Sequence, residues 1–141
     1  MSAFSLHPQL QQDTILLGAF PLSLLLLMND SNYPWFILVP QRADIFEVHA
    51  LDDSDRRQLW DESALLSRAL TRAFSPDKLN IAALGNQVPQ LHVHHIVRFT
   101  HDPAWPAPVW GKLPPRTYYS AESAKLARLL TPLLGDSFSQ A

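Results

Sequence analysis

Two short apolar runs joined by turn formers, one long stretch with helical periodicity and a second strand pair behind it predict an α+β fold, an antiparallel sheet with one central helix packed on it. The chain has 141 residues, 47% hydrophobic and 17% charged, enough to bury a core without cross-links. It reads as a single domain over 1–141 with its core at about 5–115. Eleven Lys plus Arg against thirteen Asp plus Glu leave a formal charge of -2. That balance argues against nucleic acid or an anionic membrane as the main partner. With no cysteine, disulfides, thiol nucleophiles and thiolate metal sites are excluded.

The elements follow in order. Residues 24–28 (LLLLM) and 35–39 (WFILV) flank the turn formers NDSNYP, the pattern of a β-hairpin, and Pro40 ends the second strand. The most apolar stretch, 22–28, is far below the ~20 residues that span a bilayer. Asp52, Asp53 and Ser54 offer helix N-caps, and Leu59, Ser63, Leu66, Leu70 and Ala73 recur at the spacing of one helical face, which predicts a helix over 55–74. Residues 75–77 (SPD) break it. Strands are expected at 79–84 and 90–99, with a turn at 85–89 between them. The Pro- and Trp-rich stretch at 100–119 reads as an extended loop with bulky anchors, and 120–134 as a C-terminal helix that Thr131-Pro132 ends or kinks. The first residues (MSAFSLHPQLQQDT) lack a basic leader ahead of an apolar run, so a cytoplasmic location is expected.

Three of the six histidines lie within four residues, at 92, 94 and 95. Strand side chains alternate faces, so Gln90, His92, His94, Ile96 and Arg98 should share one face, and Leu91, Val93, His95 and Val97 the other. Members of the first row stand roughly 6 to 7 Å apart, close enough for two imidazoles and an amide to converge on one phosphate. Histidine suits that task because one ring nitrogen can attack while the other is oriented by a carbonyl.

The segment 85–96 (GNQVPQLHVHHI) resembles the histidine triad (HIT) superfamily of nucleotide hydrolases and transferases, whose pattern is His-φ-His-φ-His-φ-φ with φ apolar, after a Gly turn. The hairpin at 26–40, the helix at 55–74 and the strand beginning at Leu79-Asn80 match the order of elements in that family. The resemblance implies a HIT-like fold of proteobacterial type, usually a homodimer, hydrolysing or transferring nucleotides at an α-phosphate without cofactor or metal. Carried over by position, His92 is the nucleophile and His94 the last triad member, while Gln90 stands where the first histidine would be. Glutamine can hydrogen-bond a phosphate but cannot exchange a proton. His95 and Val97 also depart from the pattern, and Trp35 lies near where some relatives carry a further histidine. Asn86 and Gln87 in the Gly turn are expected at the substrate, and Asn29 or Asp30 at the ribose. The implied substrate is a nucleotide or dinucleoside polyphosphate. The alternative is a catalytically weak nucleotide-binding or sensing protein that lost turnover with the first histidine.

Other readings are plainer. His92 and His94 could ligate zinc, but a third ligand is needed and only His101 and Asp102 lie near in sequence. His95 is expected on the far face, bonded to backbone. Arg98 is expected in a salt bridge, Trp105 and Trp110 as packing anchors, and the acidic cluster at 52–55 as a capped helix start.

Overall fold

The computed structural model describes residues 3–141. Six strands form one sheet in the order β4-β5-β3-β2-β1-β6, every pairing antiparallel. They are β1 (Thr14–Ala19), β2 (Ser23–Met28), β3 (Trp35–Pro40), β4 (Lys78–Ala82), β5 (Val93–Arg98) and the short β6 (Ser139–Gln140). The helices are α1 (Pro8–Asp13), α2 (Asp53–Phe74) and α3 (Ser120–Leu130). The expected α+β arrangement, with a central helix on an antiparallel sheet, is what the chain adopts.

The apolar runs at β2 and β3 are long because both faces of the sheet are covered. On one face Leu25, Leu27, Phe36, Leu38, Val93 and Val97 pack under Leu59, Leu66 and Leu70 of α2. On the other, Leu26, Trp35, Ile37, Val39 and Ile96 are covered by Leu10 of α1 and by Ala104 and Val109 of the Pro-rich loop. Every residue of β3 and β5 is therefore buried, a continuous run rather than an alternation.

Helix α2 starts two residues before the expected 55, because Asp52 is the cap and accepts from the Asp55 N–H at 2.8 Å. Asp53 and Asp55 complement the dipole of the first turn. Ser75 closes the helix in the left-handed region (φ 48°), donating its N–H to Thr71. Glu62, on the buried face of α2, accepts from the N–H groups of Leu22 (2.8 Å) and Ser23 (3.0 Å), so one carboxylate ties the β1–β2 connection to the helix.

Several boundaries differ from the sequence expectation. β4 covers 78–82 rather than 79–84. β5 starts at Val93, not Gln90: pairing with β3 ends at Leu38↔Val93 and with β4 at Ala82↔His94, and Pro89 has no N–H to extend a ladder. α1, β1 and β6 had no counterpart in the reading of the sequence. Pro8 sits in the first turn of α1 and the His7 Nδ1 caps it, accepting from the Gln9 N–H at 3.0 Å. β6 closes against Gly18, where a Cβ would overlap the Ser139 carbonyl and the Phe138 ring. Thus β1 and the C-terminal segment meet only because residue 18 is glycine.

Candidate active site

β5 carries His94 and His95 onto opposite faces of the sheet, and His92 lies immediately before it. Its register against β3 pairs Ile37 with His94 and Phe36 with His95, so His94 joins the face of Ile37 and Trp35, and His95 the face of α2. His95 is fully buried. Its Nδ1 meets the Val93 carbonyl at 3.1 Å and its Nε2 the Ser63 hydroxyl at 2.7 Å. A carbonyl only accepts, so Nδ1 carries the proton and Nε2 accepts from Ser63. Burial pushes its pKa down to about 4. It is a core group, neutral and satisfied on both nitrogens.

His92 and His94 face the other way, ring centroids 4.9 Å apart in an edge contact. The His92 Nδ1 lies 2.7 Å from the Gln90 carbonyl, which assigns the proton to Nδ1 and leaves a lone pair on Nε2. Burial lowers its pKa, the bond to Gln90 opposes that, and His7 nearby lowers it again. His94 has the opposite tautomer. The Trp35 indole N–H donates to its Nδ1 at 2.9 Å, so its single proton sits on Nε2. Burial, with His92 and His95 beside it, pushes the His94 pKa down to about 3. The site thus presents a lone pair from one ring and an N–H from its neighbour.

Both rings line a cleft of about 390 Å³. Asn86 and Gln87 line it from the turn after Gly85, which takes the left-handed conformation (φ 71°) that glycine favours. Apolar wall comes from Trp35, Met28 and Trp110, the last packed edge-on against His94 at 5.1 Å. Gln9 and Asp13 of α1 complete it, and their side chains bond each other at 2.9 Å. Neither was expected from the sequence, where the only signal was Pro8 ahead of a polar, helix-compatible run.

Of the residues expected at the site, His92, His94, Asn86 and Gln87 come together. Gln90 does not turn its amide toward them. Its Oε1 accepts from the His7 N–H and its Nε2 donates to the Ser5 carbonyl, both at 2.9 Å. Asn29 and Asp30 are not among the residues lining the cleft. The Asn29 Oδ1 accepts from the Tyr118 N–H, and the Asp30 Oδ1 from Asn32 and the Arg116 N–H, holding residues 116–118 against the hairpin. Arg98 makes the expected salt bridge, with Asp102 at 2.8 Å, and His101 stacks on Phe99. Among the described residues no group of three or more His, Asp or Glu side chains could hold a metal ion. No helix among them is long and apolar enough to cross a membrane.

An antiparallel sheet with a central helix, and a pair of strand histidines of opposite tautomer facing a cleft behind a Gly turn, define the class of small α+β proteins built around a histidine strand. The chain belongs to the HIT family: the HIT domain model matches residues 9–101. A histidine triad protein from Bradyrhizobium japonicum is 48% identical over 95% of this chain and 100% of its own, with a TM-score of 0.93. One from Marinobacter aquaeolei is 49% identical over 94% and 97%, at 0.92. A histidine triad nucleotide-binding protein from Sulfolobus tokodaii, described as hypothetical, shares the fold at 16% identity, covering 86% and 83% with a TM-score of 0.63. No curated protein matches the chain.

Proposed function

We propose that this protein is a nucleotide hydrolase or nucleotidyl transferase in which the His92 Nε2 attacks an α-phosphate to give a nucleotidyl-histidine. The observation that carries this reading is the 2.7 Å bond from the His92 Nδ1–H to the Gln90 carbonyl. It aims the basic nitrogen away from the backbone and supports the positive charge that develops on the ring when Nε2 bonds phosphorus. The His94 Nε2–H, the Asn86 and Gln87 side chains and the N–H groups of the 85–88 turn are the donors for the non-bridging oxygens. Asp13 and Gln9, polar side chains that line the same cleft, are on this reading the groups for the ribose hydroxyls, a role the family resemblance gave to Asn29 or Asp30. The apolar wall of Trp35, Met28 and Trp110 suits a base.

The test is single-turnover reaction with an α-³²P-labelled nucleotide, quenched under conditions that preserve phosphohistidine. Label should appear on the wild-type chain and vanish in His92→Ala. Binding without label or turnover would favour a nucleotide-binding protein instead, a reading that rests on Gln90 having no proton to exchange.

The family's usual homodimer fits the surface as well. β4 is the outer strand of the sheet. Its Ile81 pairs with His95, on the α2 side, and is 46% exposed, as Trp60 of α2 is 45% exposed. An outer edge carrying an exposed apolar side chain is suited to a second copy. Light scattering of Ile81→Lys against the wild type checks it.

A further inference from the structure

His7 is not among the residues lining the cleft of His92 and His94, yet it joins two of the parts that build it. Its Nδ1 accepts from the Gln9 N–H at 3.0 Å and caps α1, and its own backbone N–H donates to the Gln90 Oε1 at 2.9 Å. The Gln90 Nε2 donates to the Ser5 carbonyl at 2.9 Å. A carbonyl and the N–H two residues further on are the two groups that one residue of a neighbouring strand meets in a parallel ladder. The Gln90 amide therefore takes the place of a partner strand for residues 5–7.

These ties matter because α1 cannot hold itself. Its six residues fall well short of the ~12–15 at which an isolated helix is even marginal in water. The far end is anchored independently: Leu10 is buried in the apolar cluster, and the Asp13 carbonyl accepts from the Asn29 N–H at 3.0 Å. The near end has the cap and the tie. Phe4 and Leu6 pack against the same cluster, but a cavity of about 300 Å³ lies between this segment and the loop at 43–46. Packing alone thus leaves open the direction from which the chain enters the helix. That direction sets the first turn, where Gln9 stands. Gln9 in turn donates from Nε2 to the Asp13 Oδ2 at 2.9 Å, and both side chains line the cleft.

We propose that Gln90 and His7 are positioning residues for the sugar of the nucleotide: the amide fastens residues 5–7 to the segment leading into β5, the imidazole caps α1, and together they aim Gln9 and Asp13 at the ribose hydroxyls. The inference rests on the nucleotide reading of the cleft. Position 90 then serves both ends of one substrate. Its backbone carbonyl orients the His92 ring for the phosphate, and its side chain acts on the sugar through α1.

The experiment measures, by titration calorimetry, the Kd of AMP and of 2′-deoxy-AMP for the wild type, His7→Ala, His7→Asn, Gln90→Ala, Asp13→Ala and the His7→Ala/Asp13→Ala double variant, with the unfolding midpoint of each protein read in parallel. The wild type should prefer AMP by about 10-fold, the worth of a hydrogen bond to a carboxylate. A merely structural effect would weaken both nucleotides alike and leave that ratio where it was. His7→Ala and Gln90→Ala should instead bring it below about 3-fold, and His7→Asn, whose side-chain oxygen also caps a helix, should restore it. Asp13→Ala should lose the preference by itself, and adding His7→Ala should take away nothing more, since both act on one contact. A wild-type ratio in His7→Ala, or no rescue by asparagine, overturns the positioning role. So does a further loss in the double variant, because His7 would then meet the sugar itself. If the wild type binds neither nucleotide, the nucleotide reading fails, and if it binds both alike, the ribose assignment of Gln9 and Asp13 fails; in both cases the proposal falls with it.

Discussion

The indole N–H of Trp35 donates to Nδ1 of His94 at 2.9 Å, diagonally across β3 and β5, and this bond decides which nitrogen of His94 is left for substrate. In both tautomers the ring is neutral, but only with Nδ1 as acceptor does an N–H remain on Nε2. Trp35 thus orients the His94 ring and adds no proton carrier of its own to the cleft.

Trp35→Phe should keep the packing and lose the donor. Nδ1 would then compete for the proton, and the fraction of rings offering Nε2–H would fall. We expect turnover to drop about 10-fold, short of the loss of a whole oxyanion donor, with ¹⁵N shifts of His94 reporting the mixed tautomer. Unchanged shifts would show that another contact sets it.

Gln90→His restores the letter of the triad pattern and removes a tie that the structure uses. A neutral imidazole also has one acceptor and one N–H, but they sit on a rigid ring and a shorter side chain. It does not reproduce the geometry with which the amide accepts from the His7 N–H and donates to the Ser5 carbonyl. The variant should lose about 1–2 kcal/mol by denaturant unfolding, and residues 5–7 should exchange amide hydrogens faster. A gain in turnover without loss of stability would mean that the amide's role is at the phosphate.

Acid should destabilise the fold before the carboxylates titrate. His94 and His95 are held at about 3 and about 4 in the folded chain, against about 6.5 when unfolded. Below that value the unfolded chain binds more protons, so the stability these groups contribute is present above pH ~6.5 and is lost as pH falls toward 4 and 3. Loss of about 3–4 kcal/mol between pH 7 and 5 is expected from denaturant titrations. The His95 ring signals should stay unshifted across that range in the folded protein.

Ser63→Ala leaves the His95 Nε2 without its 2.7 Å donor in a fully buried setting. The cost should be about 1–3 kcal/mol, with little change in kcat, since the pair lies on the opposite face of the sheet from the cleft. A large loss of kcat at full stability would make the pair part of the chemistry.

What the residues revealed in advance, and what they did not, follows from the range of the interactions. The β2–β3 hairpin and α2 were legible because local periodicity and turn chemistry specify them, and the facing of His92 and His94 against His95 followed from strand alternation. The role of Gln90 was not, because its partners lie 83 and 85 positions away and nothing local says that an amide on a polar row will be drawn to the N-terminal segment. α1 is a six-residue helix, below the length at which periodicity signals anything, so Gln9 and Asp13 went unseen. Asn29 and Asp30 were in the expected hairpin, but their carbonyl and carboxylate oxygens bind backbone N–H groups of a segment whose path only the fold determines.

Arg98 is almost wholly buried, and it bonds Asp102 twice, the Asn80 side chain and the Ala107 carbonyl. Asp102 in turn accepts from the N–H groups of Phe99, Ala104 and Trp105. The stretch that brings Trp110 to the cleft is therefore riveted to β5, the strand that carries His94 and directly follows His92, and the two cannot separate without exposing a charge pair that is costly to break. Trp110 is a fixed wall and not a flap. If the proposed nucleotide reading holds, discrimination at the base comes from shape already cut before substrate arrives: a ligand too bulky for the gap is turned away at the door, and one that fits finds its pocket waiting with no ordering step to slow its capture.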